Sequence, residues 1–357
     1  MRILIALNHP AHYYVFKYAA NSLKKYGYSV KYVIKNKDVL EKLLLSEGVE
    51  YIKINQKSNR KPTILSVVLN GLLELLKQDL NLFKLVKKWK PNLMVGTDIS
   101  ITHVGIIFNI PTFVFNEDDY EVNKLFCRAS YPFATKIIAP NICSVGKFGY
   151  KKVPYNGIQK MAYLSQQYFN PNFDLISNIV QKNDKYFIIR LVSLTSGHDI
   201  EGKHTGISET LVDELIRLLE RYGKVFISNE GFLNPRFEKY HLEIEPNLMH
   251  HFIAYSSLLI GDSQTMCAEA GLLGVPFIRY NDFVGKIGYL NEIEKNYKLG
   301  FGIETKNPNA VLEVSQKILE TKNIKEEWQL KKARIFDEKL DPSEFYTKLI
   351  IGYLNGK

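Results

Sequence analysis

Short apolar runs rich in β-branched residues alternate with stretches of helical period along most of the chain. Arg2–Leu7 (RILIAL) is the first such run, and the loop Asn8-His9-Pro10-Ala11 follows it. A helical pattern then extends from about His12 to Tyr26 and stops at Gly27. Ser29–Ile34 reads as a strand, Asp38–Ser46 as a helix and Glu50–Ile54 as a short strand. A long helical stretch covers about Thr63 to Trp89. Leu93–Val95, Pro111–Phe115 and Lys136–Ala139 read as three further strands, the last closing this half. Strands alternating with helices predict βαβ units and a parallel sheet.

The pattern breaks around Val153–Tyr163, where VPYNGIQKMAYL and the following FNPNF read as a linker punctuated by Pro, Gly and Asn. A second series then begins. Strand Lys185–Val192 leads into the polar loop Ser193–Thr205, and a helix over Ser208–Tyr222 ends at Gly223. Strand Lys224–Ser228, helix Asn247–Tyr255, strand Ser257–Ile260, helix Gln264–Leu273 and strand Pro276–Arg279 come next. From about Asn307 to Leu354 the chain is helical, with a break at Asp341-Pro342. The pattern predicts an α/β protein of two doubly wound halves. The first domain covers 1–160 and the second 161–335, and a helical tail over 336–357 can pack back on the first. The 357 residues suit that count, since one α/β domain takes about 100–200.

Composition narrows the class. Net charge is +10, which favours anionic partners such as nucleotide phosphates or an anionic membrane surface. No arginine-rich block or arginine–aromatic stripe occurs, so nucleic acid is not expected. The three cysteines, Cys127, Cys143 and Cys267, show no metal-binding spacing. A reducing cytoplasm is therefore expected, without disulfides or zinc. The first apolar run is too short for a signal peptide, and no run of apolar residues is long enough to span a bilayer. Segment 57–90 is a separate matter. With Gln56 it carries eight lysines or arginines and only two acids, Glu74 and Asp79, around the apolar ILSVVLNGLLELL. It reads either as a sheet-covering helix with a wet basic face or as a peripheral membrane contact.

Candidate chemistry gathers where strands end. In open parallel sheets ligands sit beyond the carboxyl ends of the strands. His12, at a helix start after the first strand, can donate to phosphate or act as a base. Asp98 and the run Glu117-Asp118-Asp119 end two neighbouring strands and can deprotonate an acceptor hydroxyl. In the second half, Arg190, Ser193, His198 and Lys203 lie in or beside a polar and basic loop able to neutralise a diphosphate. Asn229 ends the next strand, where it can meet a base or sugar. The most informative segment is LLIGDSQTMCAEAGLLGVPFIRY, Leu258 to Tyr280. There a buried strand ends at Gly261-Asp262-Ser263 and a helix starts near Gln264. Free N–H groups and a positive dipole end suit phosphate oxygens there. Ser263 and Thr265 add hydroxyls, and Glu269, one turn on, can accept from both ribose hydroxyls. The bland alternative is a capped helix with an incidental surface glutamate.

That segment resembles the nucleotide-binding signature of GT-B proteins: small polar residues at a strand end, then Glu, then Gly-x-Pro. It is similar to the matching part of the UDP-N-acetylglucosamine 2-epimerase and MurG-like glycosyltransferase group. With the N-terminal NHPAH motif and the SLTSGHD loop, it resembles the DUF354 family more closely, over Ile3 to about Tyr280. The resemblance implies a GT-B fold, two Rossmann-like domains facing a cleft. It also implies that Ser263, Gln264 and Thr265 contact the donor diphosphate, Glu269 the ribose, and His250 the region of the base. The epimerases carry His-Arg-x-x-Asn in the loop region, whereas here His198-Asp199 lacks the matching Arg and Asn. Glycosyl transfer from a nucleotide-diphosphate sugar, UDP-linked, to a saccharide or lipid-linked acceptor is therefore the expectation. Surface polysaccharide or glycolipid assembly is the setting, with no cofactor beyond the donor. A nucleotide-sugar 2-epimerase and a non-catalytic nucleotide-sugar binder are the rivals. No Asp-x-Asp of the metal-dependent kind occurs, so a metal is not expected.

Overall fold

The computed structural model describes residues 1–35, 38–54, 64–192 and 206–356, with residues 38 and 64–70 in backbone only. In chain order the first elements are β1 (Arg2–Leu7), α1 (Pro10–Lys25), β2 (Ser29–Ile34), α2 (Asp38–Ser46), β3 (Tyr51–Lys53) and α3 (Ile64–Trp89). Then come β4 (Leu93–Gly96), α4 (Ser100–Phe108), β5 (Thr112–Phe115), α5 (Lys124–Ser130), β6 (Lys136–Pro140), β7 (Lys152–Tyr155) and α6 (Met161–Leu164). Next follow β8 (Tyr186–Leu191), α7 (Glu209–Leu219), β9 (Lys224–Asn229), α8 (Met249–Tyr255), β10 (Leu258–Gly261), α9 (Gln264–Leu272) and β11 (Phe277–Tyr280). The chain closes with α10 (Gly288–Asn291), β12 (Gly300–Ile303), α11 (Pro308–Glu320), α12 (Ile324–Glu338) and α13 (Pro342–Asn355). It divides into two compact units: Met1–Tyr168 with Lys339–Lys357, and Phe169–Glu338.

The first unit is built on a seven-stranded sheet in the order β3-β2-β1-β4-β5-β6-β7, parallel throughout. Its strands are covered on both faces, so they read as unbroken apolar runs. Leu4, Ala6, Val33 and Met94 pack with Leu82 and Val86 of α3 and Ile101 and Val104 of α4. From β1 the chain winds to β2 and β3 on one side, and from β4 to β5, β6 and β7 on the other. The topological switch point is therefore the β1–β4 pair, and in open α/β sheets ligands sit outside the carboxyl ends of such a pair. Gly96 ends β4 at φ +149°, opposite Ala6. A Cβ there would stand 2.4 Å from the Ala6 carbonyl oxygen, so no other residue lets these two strand ends approach. Helix α13 returns to pack on α1 and α6. Its Tyr346 hydroxyl lies 2.7 Å from that of Tyr155, and Ser343 donates to the Ala162 carbonyl at 2.9 Å.

The linker expected at 153–163 is instead structural. Lys152–Tyr155 forms the edge strand β7, where Pro154 is tolerated because one side of an edge strand needs no N–H donor. Ile158 to Leu164 are buried. Pro154 and Asn156, which suggested a linker, stay exposed at the edge strand and the turn after it.

The second unit has a five-stranded parallel sheet in the order β12-β11-β10-β8-β9. Its chain diverges from β8 to β9 on one side and from β10 to β11 and β12 on the other, which puts the switch point at β8–β10. Here too a glycine ends the second strand of the pair: a Cβ on Gly261 would meet the Arg190 Cβ at 2.8 Å. Helix α7 covers one face with Leu211, Leu215 and Leu219 against Phe187, Ile189, Leu258 and Ile260. Ser208 caps that helix by accepting from the Leu211 N–H. The short strand β12 was not visible in the pattern because two of its four residues are glycine.

Candidate functional site

Each switch point carries a polar cluster. In the first unit β1 runs straight into α1. His9 caps α1, its Nδ1 accepting from the Ala11 N–H at 3.2 Å. His12 does not cap: its Nδ1 accepts from the Asn8 N–H at 3.3 Å. The Asn8 amide donates to the Thr97 carbonyl at 2.7 Å and to Asp98 at 2.9 Å, tying the ends of β1 and β4 together.

Asp98 is buried. Its other contacts are the Lys35 ammonium at 2.7 Å and the Ile101 N–H at 3.2 Å. Burial acts to raise its pKa, but the Lys35 charge and these hydrogen bonds outweigh it and hold the carboxyl below its ordinary value. Asp98 is therefore a fixed anion that ties the ends of β1, β2 and β4 together.

Beyond β5 the neighbouring carboxylates differ in kind. Glu117 forms an ion pair with Lys160 and accepts from the Gln159 N–H at 3.1 Å. Asn116 holds the loop, its side chain bonded to the Tyr131 hydroxyl at 2.8 Å and to the Asp118 backbone. Asp118 is only partly buried. Desolvation first, and the Glu117 charge second, push its pKa up to about 6. That value suits a general base working near neutral pH, whereas the carboxylates of Glu117 and Asp98 are engaged by Lys160 and Lys35. Gln159 and Lys160 are buried at 6% and 3% exposure, and the Gln159 Nε2 has no hydrogen-bond partner among the described residues. Sequence reading missed Lys35, Gln159 and Lys160. Two of them lie in the segment that looked like a linker.

In the second unit β10 ends in Asp262 and Ser263. Ser263 caps α9, its Oγ accepting from the Met266 N–H at 3.3 Å. Gln264 and Thr265 in the first turn are partly exposed. Glu269, one turn on, is buried, and its Oε1 lies 3.2 Å from the Nε2 of His250 on α8. The structure thus joins two residues singled out separately in the sequence. It also replaces the image of a surface glutamate with a buried pair beside a helix amino end.

Across the switch point, Arg190 donates to the Ser228 hydroxyl at 2.8 Å and pairs with Glu230. The Arg190 Nε and the Asn229 Oδ1 are buried and lack hydrogen-bond partners among the described residues. Asp262 accepts from the Val192 N–H at 2.8 Å, and burial pushes its pKa up to about 6. Ser193, His198 and Lys203 lie outside the described residues. Among those residues, no cluster of three or more His, Cys, Asp or Glu can hold a metal ion. A pocket of about 240 Å³, lined by Lys182, Lys185, Val275 and Lys325 among others, opens at the amino ends of β8, β10 and β11, away from this chemistry.

The family model of DUF354, described as a protein of unknown function, matches residues 1–298. No curated protein matches the chain. Among solved structures, the UDP-GlcNAc 2-epimerase of Neisseria meningitidis bound to UDP-GlcNAc is 13% identical with a TM-score of 0.66, covering 100% of both chains. The Methanocaldococcus jannaschii UDP-GlcNAc 2-epimerase in complex with UDP-GlcNAc and UDP is 12% identical at a TM-score of 0.67, again over 100% of both. The glycosyltransferase SsfS6 of Streptomyces sp. SF2575, complexed with thymidine diphosphate, is 14% identical at 0.59 over 99% of each chain. At such identities the likeness establishes the fold, which is GT-B.

Proposed function

The chain belongs to the DUF354 family, and we propose that it is a glycosyltransferase using a nucleotide-diphosphate sugar. The observation that carries this reading is the β10–α9 junction. There a capped helix amino end with partly exposed Gln264 and Thr265 stands one turn from the buried Glu269–His250 pair. Backbone N–H groups of the first turn take the diphosphate oxygens, Arg190 adds positive charge, and Glu269, oriented by His250, accepts from the ribose hydroxyls. Stabilising the diphosphate as it departs supplies most of the rate.

In the first unit Asp118 takes the proton of the acceptor hydroxyl. His12 donates to an oxygen of the acceptor, and Asp98 with Lys35 holds the strand ends beside it. The acceptor is a saccharide or a lipid-linked saccharide. Thermal-shift measurement against a panel of nucleotide sugars tests the reading. Stabilisation by one nucleoside class is expected from mass action, and no shift with any member would overturn it.

A second reading, 2-epimerisation of the sugar, is favoured by one observation. The fold is similar to that of the Neisseria meningitidis UDP-GlcNAc 2-epimerase, at a TM-score of 0.66 over 100% of both chains. Incubation with UDP-N-acetylglucosamine alone separates the two. A new epimer in the NMR spectrum selects epimerisation, and an unchanged donor counts against it.

A further inference from the structure

We infer that the outer face of α3, with the end of α4, docks the protein on an anionic lipid surface. This goes beyond the nucleotide-sugar reading and does not depend on it. A sheet-covering helix normally has one apolar stripe. Helix α3 has two. Leu82 and Val86 are fully buried against the sheet. On another side Leu72, Leu73, Leu76 and Leu80 are 55, 47, 50 and 61% exposed. At the helical repeat these four share an arc of about 100°. Ile106 and Ile107, on the adjoining α4, are 57 and 64% exposed. Single exposed leucines are ordinary, but six large apolar residues on two packed helices are not.

Charge decides the occupant. Lys77, Lys84, Lys87 and Lys88 are exposed on the same helix. Glu74 is the one exposed acid on the described part of α3, since Asp79 is half-buried and bonded to His103 at 2.9 Å. Leucines flanked on one side by lysines suit a headgroup boundary: the apolar side chains enter the acyl edge while the ammonium groups reach the anionic heads. A second copy of the chain would press this lysine set against its like, which opposes self-association. No helix among the described residues is long and apolar enough to cross a membrane.

Flotation of the full chain with vesicles tests the inference. On phosphatidylcholine carrying about 30 mol% phosphatidylglycerol, binding is expected to be at least about tenfold tighter than on phosphatidylcholine alone, and to weaken with salt. Replacing Lys77, Lys84 and Lys88 by Ala should weaken it by roughly a hundredfold, at about fivefold per lysine. Replacing Leu72, Leu76 and Leu80 by Gln should reduce it by about tenfold or more. Both triple variants change exposed side chains only, and each should keep the wild-type melting temperature and nucleotide binding. Equal flotation on both vesicle types, or wild-type flotation by the leucine variant, would overturn the inference. So would a dimer in solution that the leucine substitutions dissolve, because a second copy would then own the stripe.

Discussion

Replacing Glu269 by Gln separates a structural role from a ligand-binding one. The carboxylate lies 3.2 Å from the His250 Nε2, and the two side chains are only 6% and 7% exposed. A hydrogen bond to a charged group contributes about 1.5–3 kcal/mol. Gln keeps the shape and one oxygen acceptor, so the loss should be near the lower end, about 1–2 kcal/mol. For a unit of this size that lowers the melting temperature by roughly 2–8 °C. Alanine removes the carboxylate entirely and leaves a void as well, so it should cost more than Gln.

The ligand term is separate. If Glu269 accepts from two ribose hydroxyls, the amide of Gln forfeits the charge-assisted part, and UDP affinity should fall about 10–100-fold. Isothermal titration of UDP into both proteins, well below either melting temperature, measures this directly. A Glu269→Gln variant that melts lower yet binds UDP within about threefold of wild type would refute the ribose assignment. It would leave the pair as a purely structural contact.

Three further outcomes concern the first unit. The raised Asp118 pKa means the native state holds that proton more tightly than the unfolded chain. Its stabilising contribution is full below about pH 4, fades as pH rises through 6, and amounts to roughly 2–3 kcal/mol. Asp118→Asn should therefore melt higher than wild type at pH 8 and the same at pH 4, while turnover collapses. Glu117→Gln removes the second cause of that shift, so the acid limb of the pH–rate profile should move down from about pH 6. An unmoved limb would assign it to another group. Lys160→Met leaves the Glu117 carboxylate without its buried partner and should cost about 3–5 kcal/mol, with Lys160→Met/Glu117→Gln recovering part of the loss in denaturant melts.

The fold was largely legible because its strands are buried on both faces and stand out as apolar runs. The β10–α9 junction was legible for the same reason, since an uninterrupted LLIG stops abruptly at Asp262-Ser263 and a helix begins. What escaped was what tertiary packing alone creates. Lys35 and Lys160 look like surface lysines until the chain brings them to Asp98 and Glu117, far away in sequence. Pro154 and Asn156 disguised an edge strand and a buried turn as a linker. The pairing of His250 with Glu269 has no local signal at all, because it joins two helices through space. The bare leucines of α3 were equally hidden: the pattern shows a stripe but not whether anything covers it.

Amide hydrogen exchange in the presence of saturating UDP puts the central claim to its most direct test. The amides of 261–269 should exchange more slowly on UDP addition, with smaller changes near Arg190 and Asn229. Unchanged exchange across 261–269, with protection appearing elsewhere in the chain, would contradict the account.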